Sequence, residues 1–243
     1  MKFLRPLFLL FIALSPSLRA EDSNPATPAP PKPAVPAPSA APADPFAKWE
    51  KEIAGIETAD KKNPPAKGSI VFTGSSTIRM WKSLAQDYPH HHLVNHGFGG
   101  SQIVDCTHFA DRLIFPLEPK VIFLRAGGND INAGKTPDRV FADYKDFVTT
   151  VRAKLPEAEI IYIGLAPTIA RINEVPAGNK LDDLIKDYAA KNPKLKYIDC
   201  TNMSVGADGL PRPELFIKDG LHFSDAGYKL LAERVRPFMP AVK

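Results

Sequence analysis

The chain has 243 residues, 44% of them hydrophobic and 24% charged, with a formal charge of +4. That length holds one medium domain plus accessory segments. Without Lys2, Arg5 and Arg19 the balance is 28 basic against 27 acidic residues, and no basic block stands out, so a nucleic-acid partner has no electrostatic support.

Residues 1–20 read as a secretory signal. Lys2 and Arg5 form a basic start, Phe8 to Leu14 an apolar core, and Ala20 ends a cleavage site before Glu21 and Asp22. The apolar stretch is too short to span a bilayer as a stable helix. Leu18 is larger than the small residue usual three places before a cut, which leaves the exact site open. No Cys follows to carry a lipid, and an uncleaved anchor is the alternative. The expectation is an exported protein, periplasmic or secreted, without stable membrane insertion after cleavage. Residues 21–45 follow as a linker. Between 22 and 45 lie nine of the 25 prolines, mixed with Ala, Ser and Thr, a composition that cannot bury a core and favours extended conformations.

Residues 46–243 are expected to fold. Phe46, Trp49, Ile53 and Ile56 recur at helical spacing. Short apolar strands are predicted at Ser69–Thr73, His92–Asn95, Val121–Arg125, Glu159–Leu165 and Leu195–Asp199. Between them, helical patterns run over Ser101–Leu113, over Thr136–Leu155 with Thr136 as N-cap and Pro137 in the first turn, and over Lys180–Lys191. A last helix follows Ser224, with Tyr228, Leu231 and Val235 inward. Strands alternating with helices predict a parallel sheet covered on both faces. Ligands of such sheets sit beyond the carboxyl ends of the strands, where strand order reverses.

The loops at that end carry the chemistry. Gly74-Ser75-Ser76-Thr77 follows the first strand. A Ser on a sharp strand-to-helix turn presents its hydroxyl as a nucleophile elbow does, although no Gly-x-Ser-x-Gly pattern is present. A helix cap is the plainer reading of the same residues, and the Lys of a phosphate-binding loop is missing. In Asn95-His96-Gly97-Phe98-Gly99-Gly100-Ser101 the glycines let backbone N–H groups approach a ligand, or merely allow a tight turn. In Ala126-Gly127-Gly128-Asn129-Asp130 the Asn129 side chain can donate to a developing negative charge, or form a turn. Asp219-Gly220-Leu221-His222 sets a carboxylate three residues from an imidazole, so that one ring nitrogen is oriented and the other left free as a base. A solvated Asp beside a half-buried His is the alternative.

These four blocks, in this order, resemble those of the SGNH or GDSL hydrolases. Gly74-Ser75-Ser76 occupies the Gly-Asp-Ser block with Ser75 for the usual Asp, Gly100 the oxyanion glycine, Gly127-Gly128-Asn129-Asp130 the Gly-x-Asn-Asp block, and Asp219 with His222 the Asp-x-x-His block. The resemblance covers residues 46 to 240. Trp49, Pro64-Pro65 and Ser76-Thr77-Ile78-Arg79-Met80-Trp81 look like a bacterial GDSL-like lipase/acylhydrolase subgroup. The resemblance implies a three-layer α/β/α sandwich with a five-stranded parallel sheet, flavodoxin-like in its winding. It implies Ser76 as nucleophile, His222 as general base and acid, and Asp219 as its orienter. The Ser76 and Gly100 N–H groups and the Asn129 side chain would form the oxyanion hole. It implies no metal and no cofactor.

The function expected from this is hydrolysis of small acyl esters, carbohydrate acetyl esters among them; no long apolar lid segment favours a true lipase. A non-catalytic ligand-binding domain and an acyltransferase are the competing readings. Neighbouring His90, His91 and His92 point in different directions and suit a surface turn rather than a metal. Trp81 and Phe98 suit either pocket lining or core, with core favoured for Trp81. Arg171 reads as a solvated charge and His108 as structural. Cys106 and Cys200 could pair in an oxidising compartment, but spacing does not establish it. The oligomeric state is not legible.

Overall fold

The structure is a computed structural model that describes residues 44–241. The expected signal segment lies outside the described residues, as does the linker apart from Asp44 and Pro45.

In chain order the elements are α1 (Glu50–Lys62), β1 (Ile70–Gly74), α2 (Ser76–Arg79), α3 (Leu84–Asp87), β2 (Leu93–Gly97), α4 (Ile103–His108), α5 (Ala110–Leu113), β3 (Val121–Arg125), α6 (Gly128–Asn132), α7 (Pro137–Lys154), β4 (Glu159–Ile163), α8 (Val175–Ala190), β5 (Leu195–Ile198) and α9 (Asp225–Val235). The strands form one parallel sheet in the order β2-β1-β3-β4-β5. That is the flavodoxin-like winding, whose switch point lies between β1 and β3.

Side chains alternate across the sheet, because successive residues of a strand face opposite ways. Val71, Ile122, Leu124, Ile160 and Tyr162 pack with Ile53 of α1, Ile103 of α4, Phe147 of α7 and Leu181 of α8. Ile70, Phe72, Phe123, Ile161 and Ile163 pack on the other face with Ile78 of α2, Leu84 of α3 and Leu231 of α9. Phe72 stacks on Phe123 with centroids 4.4 Å apart. Both faces are therefore buried, and the expected three layers follow. Cys106 and Cys200 are buried, free and on opposite sides of the sheet, so they do not pair. No helix among the described residues is long and apolar enough to cross a membrane.

The elements depart from the expected ones in instructive ways. β2 runs on to Gly97, so His96 and Gly97 belong to the strand rather than its loop. The helix expected over Ser101–Leu113 breaks at Phe109 into α4 and α5. α8 starts at Val175, before the expected Lys180, because Pro176 occupies its first turn, where a missing N–H costs nothing. α7 begins as expected, with the Thr136 hydroxyl accepting from the Arg139 N–H at 3.3 Å.

Gly74 closes β1 with φ 132°, and a Cβ built there would lie 2.0 Å from the Arg125 carbonyl oxygen of β3. Gly134 also has positive φ, 87°, but has open space around it. Gly74→Ala is expected to cost about 2 kcal/mol or more, and Gly134→Ala roughly 1 kcal/mol, since only the first adds a backbone clash to strain. Urea midpoints of the two variants check this; equal losses would show that the approach of β1 to β3 is not tight.

Candidate active site

The turn after β1 is fixed from three sides. The Ser75 N–H donates to the Arg125 carbonyl at 2.9 Å. The Asn95 amide of β2 donates to the Ile78 carbonyl at 2.6 Å, and the Tyr228 hydroxyl of α9 to the Thr77 carbonyl at 2.9 Å. Ser75 sits at the N-cap of α2 without a side-chain capping bond. Ser76 is the first helical residue, and its hydroxyl does not cap either: Ser76 Oγ lies 2.9 Å from His222 Nε2.

The other ring nitrogen of His222, Nδ1, lies 2.6 Å from Asp219 Oδ2. The second carboxylate oxygen, Oδ1, accepts the N–H groups of Leu221 and His222, each at 2.9 Å. The carboxylate thus shapes the turn that carries the imidazole while holding the ring. Burial works to raise the Asp219 carboxyl, but the bonds from the His222 ring and from the His222 and Leu221 N–H groups prevail and hold it down at about 2. The segment is anchored by the Ile217 N–H on the His222 carbonyl and the Ser224 N–H on the Leu215 carbonyl, both at 2.9 Å. Ser224 then caps α9 through the Gly227 N–H.

Asn129 lies in α6 and lines the same cleft as Ser76 and His222. Its Nδ2 donates to the Ser101 carbonyl at 3.0 Å. Its neighbour Asp130 is fully buried and accepts the Ile103 N–H at 3.2 Å and Lys135 Nζ at 2.9 Å. The glycine-containing loop before α4 is thereby stitched to the loop after β3. Gly100 has φ 75° and an exposed backbone; it does not itself line the cleft that Ser76, Asn129 and His222 share. Among the described residues neither the Ser76 nor the Gly100 N–H has a protein acceptor.

Arg171 is not the solvated charge expected from the sequence. It lines the cleft, and its Nη2 donates to Asn129 Oδ1 at 3.0 Å. A lone Arg in a loop carries no local pattern, and its partner stands 42 positions away. Arg125 was not singled out either. It is buried, lines the cleft, lies over the Phe223 ring at 5.8 Å, and donates to the Gly164 carbonyl. Trp81 and Phe98 are core residues, 1% and 0% exposed. His108 stacks on Phe46 with centroids 3.8 Å apart, the structural part expected of it. His91 Nε2 meets the Pro240 carbonyl at 2.9 Å, while His90 and His92 are exposed.

The model of the GDSL-like lipase/acylhydrolase family matches residues 67–230. Platelet-activating factor acetylhydrolase IB subunit alpha1 of Bos taurus is 26% identical over 182 residues, covering 70% of this chain and 73% of the relative. A solved protein from Streptococcus pneumoniae superposes with TM-score 0.71 at 18% identity, covering 79% of this chain and 94% of its own. An acetyl-xylooligosaccharide esterase from a Geobacillus superposes with TM-score 0.57 at 18% identity, covering 74% and 98%. The two solved structures share the fold.

A carboxyl held below its ordinary value stabilises the folded state while ionised. That contribution is expected in full above the ordinary range near 3.8 and to fade as pH falls toward about 2. A carbon-detected NMR titration of Asp219 should give a midpoint near 2, and Asp219→Asn should flatten the acid limb of thermal stability. A midpoint near 4 would show that the ring and the two N–H groups do not hold the carboxylate.

Proposed function

The chain belongs to the GDSL-like lipase/acylhydrolase family and is an esterase or acylhydrolase; on that premise we propose that it cleaves small acyl esters with Ser76 as nucleophile. The observation that carries this reading is the unbroken hydrogen-bonded series from Ser76 Oγ through the His222 ring to Asp219. Nδ1 against a carboxylate is the protonated nitrogen, which leaves Nε2 with a lone pair facing the serine hydroxyl.

Ser76 Oγ attacks the ester carbonyl carbon as its proton passes to His222 Nε2. The resulting imidazolium is stabilised by the Asp219 carboxylate, already ionised across the neutral range. Negative charge gathers on the former carbonyl oxygen. The Ser76 N–H at the start of α2 and the Asn129 side chain, both in the cleft, donate to it, each such donor contributing about 3 kcal/mol to lowering the barrier. His222 then hands its proton to the departing alcohol, leaving an acyl group on Ser76. Water enters by the same steps in reverse order and releases the acid.

The acyl group proposed is small, acetyl in the first instance, and the alcohol a carbohydrate or another small molecule. The names of the relatives support this, since a platelet-activating factor acetylhydrolase and an acetyl-xylooligosaccharide esterase both release acetyl groups. The cleft lining is mixed, with apolar Ile131, Leu165 and Val175 and polar Thr168 and Asn179, which suits an acyl group joined to a polar alcohol.

Ser76→Ala is expected to abolish hydrolysis of p-nitrophenyl acetate and acetylated xylo-oligosaccharides while leaving the circular dichroism unchanged; wild-type turnover in that variant would remove Ser76 from the chemistry. Asn129→Ala is expected to lower kcat by about 10²–10³. Across p-nitrophenyl esters of rising chain length, kcat/KM should fall. A rise toward the longest chains would contradict the small-acyl reading and leave the nucleophile untouched.

A further inference from the structure

The loop between β4 and α8 spans the two halves of the site. On one side the Ala170 N–H donates to the Gly220 carbonyl at 3.0 Å, inside the Asp219–His222 turn. On the other, the next residue, Arg171, donates through Nη2 to Asn129 Oδ1 at 3.0 Å. Its guanidinium also lies close over the backbone of α6: a Cβ built on Gly128 would stand 3.5 Å from Arg171 Nη1. Arg171 forms no salt bridge among the described residues, so its charge is directed at Asn129 rather than at a carboxylate.

We infer that Arg171 is a positioning residue that makes the Asn129 amide an oriented donor to the oxyanion, an inference that rests on the role proposed above for Asn129. A side-chain amide has one acceptor oxygen and two N–H donors. The Ser101 carbonyl takes one N–H of Asn129, and the Arg171 guanidinium takes its oxygen. A guanidinium offers only N–H donors and no acceptor. It therefore forbids the flipped amide, in which an N–H₂ group would face the guanidinium. One N–H of Asn129 is left for the cleft. Withdrawal of electron density from Oδ1 by the cation also strengthens that remaining donor, as in any chain of polarised hydrogen bonds. Transition-state charge feels this more than a neutral ground-state ester does, so the effect belongs to kcat.

The test is a double-mutant cycle on the full chain with p-nitrophenyl acetate. Arg171→Met should lower kcat about 10-fold, a fraction of the 10²–10³ that a lost oxyanion donor costs, with KM changed less than about two-fold. Arg171→Lys, which can still donate to Oδ1, should recover part of the loss, and its thermal unfolding reports any damage to the fold. In the Asn129→Ala background Arg171→Met should cost less than about two-fold, because the two residues act in series. A full additional loss in that background, or a change in KM alone, would overturn the inference by placing Arg171 on the substrate. Unchanged kcat in Asn129→Ala would overturn the role of Asn129 and this inference with it. Full kcat in Arg171→Met beside a slow Asn129→Ala would overturn this inference alone.

Discussion

The close approach of β1 to β3 at their carboxyl ends governs the geometry of the whole site. The Gly74 backbone meets the Arg125 carbonyl with no room for a side chain, and the Ser75 N–H binds that same carbonyl. The chain then turns directly into α2, which exposes Ser76 at a helix start with an unclaimed N–H. Because β2 and β3 lie on opposite sides of β1, the switch point of strand order falls at the β1 end that carries Ser76. Ser76 lines the cleft together with Asn129 and His222. Asn129 enters from the β3 side and His222 from the segment before α9. Arg125 itself is buried, lines the cleft and is tied to the Gly164 carbonyl after β4.

Order in the site is built from short local devices tied together by a few long-range bonds. Asp219 organises its own turn with one oxygen and the imidazole with the other. Ser101 and Asp130 join the loops after β2 and β3. The loop after β4 touches both the Asp219–His222 turn and Asn129. In the mechanism proposed above, groups that meet charge present only in the transition state gain most from being held in place beforehand. The hydrogen bonds that hold Asn129 and His222 supply that restraint without occupying the Ser76 N–H.

Much of this was legible in the sequence where the cause is local. The five apolar strands and their alternation with helices predict the covered parallel sheet, and the turn before α9 is written in the three-residue spacing of Asp219 and His222. Thr136 and Ser224 announce the helices they cap. What was not legible depends on partners distant in the chain. Arg171 becomes informative only once Asn129 stands beside it. Arg125 reads as the polar end of a strand until Phe223 and Gly164 surround it. Cys106 and Cys200 cannot be separated by spacing, and only the sheet between them does so. α8 was expected from Lys180, whereas it begins at Val175 with Pro176 in its first turn. The serines of the turn could be read as caps until the His222 ring was seen to meet Ser76.

The Ser76 hydroxyl meets the His222 ring, and Ser75 beside it is the natural internal control. A fluorophosphonate reacts with a serine whose proton is drawn off by a neighbouring base and leaves a stable covalent mark. Tryptic mass spectrometry of the labelled protein should place the adduct on Ser76 in the wild type and should find no adduct in His222→Ala. An adduct on Ser75, or undiminished labelling of Ser76 in His222→Ala, would contradict the account.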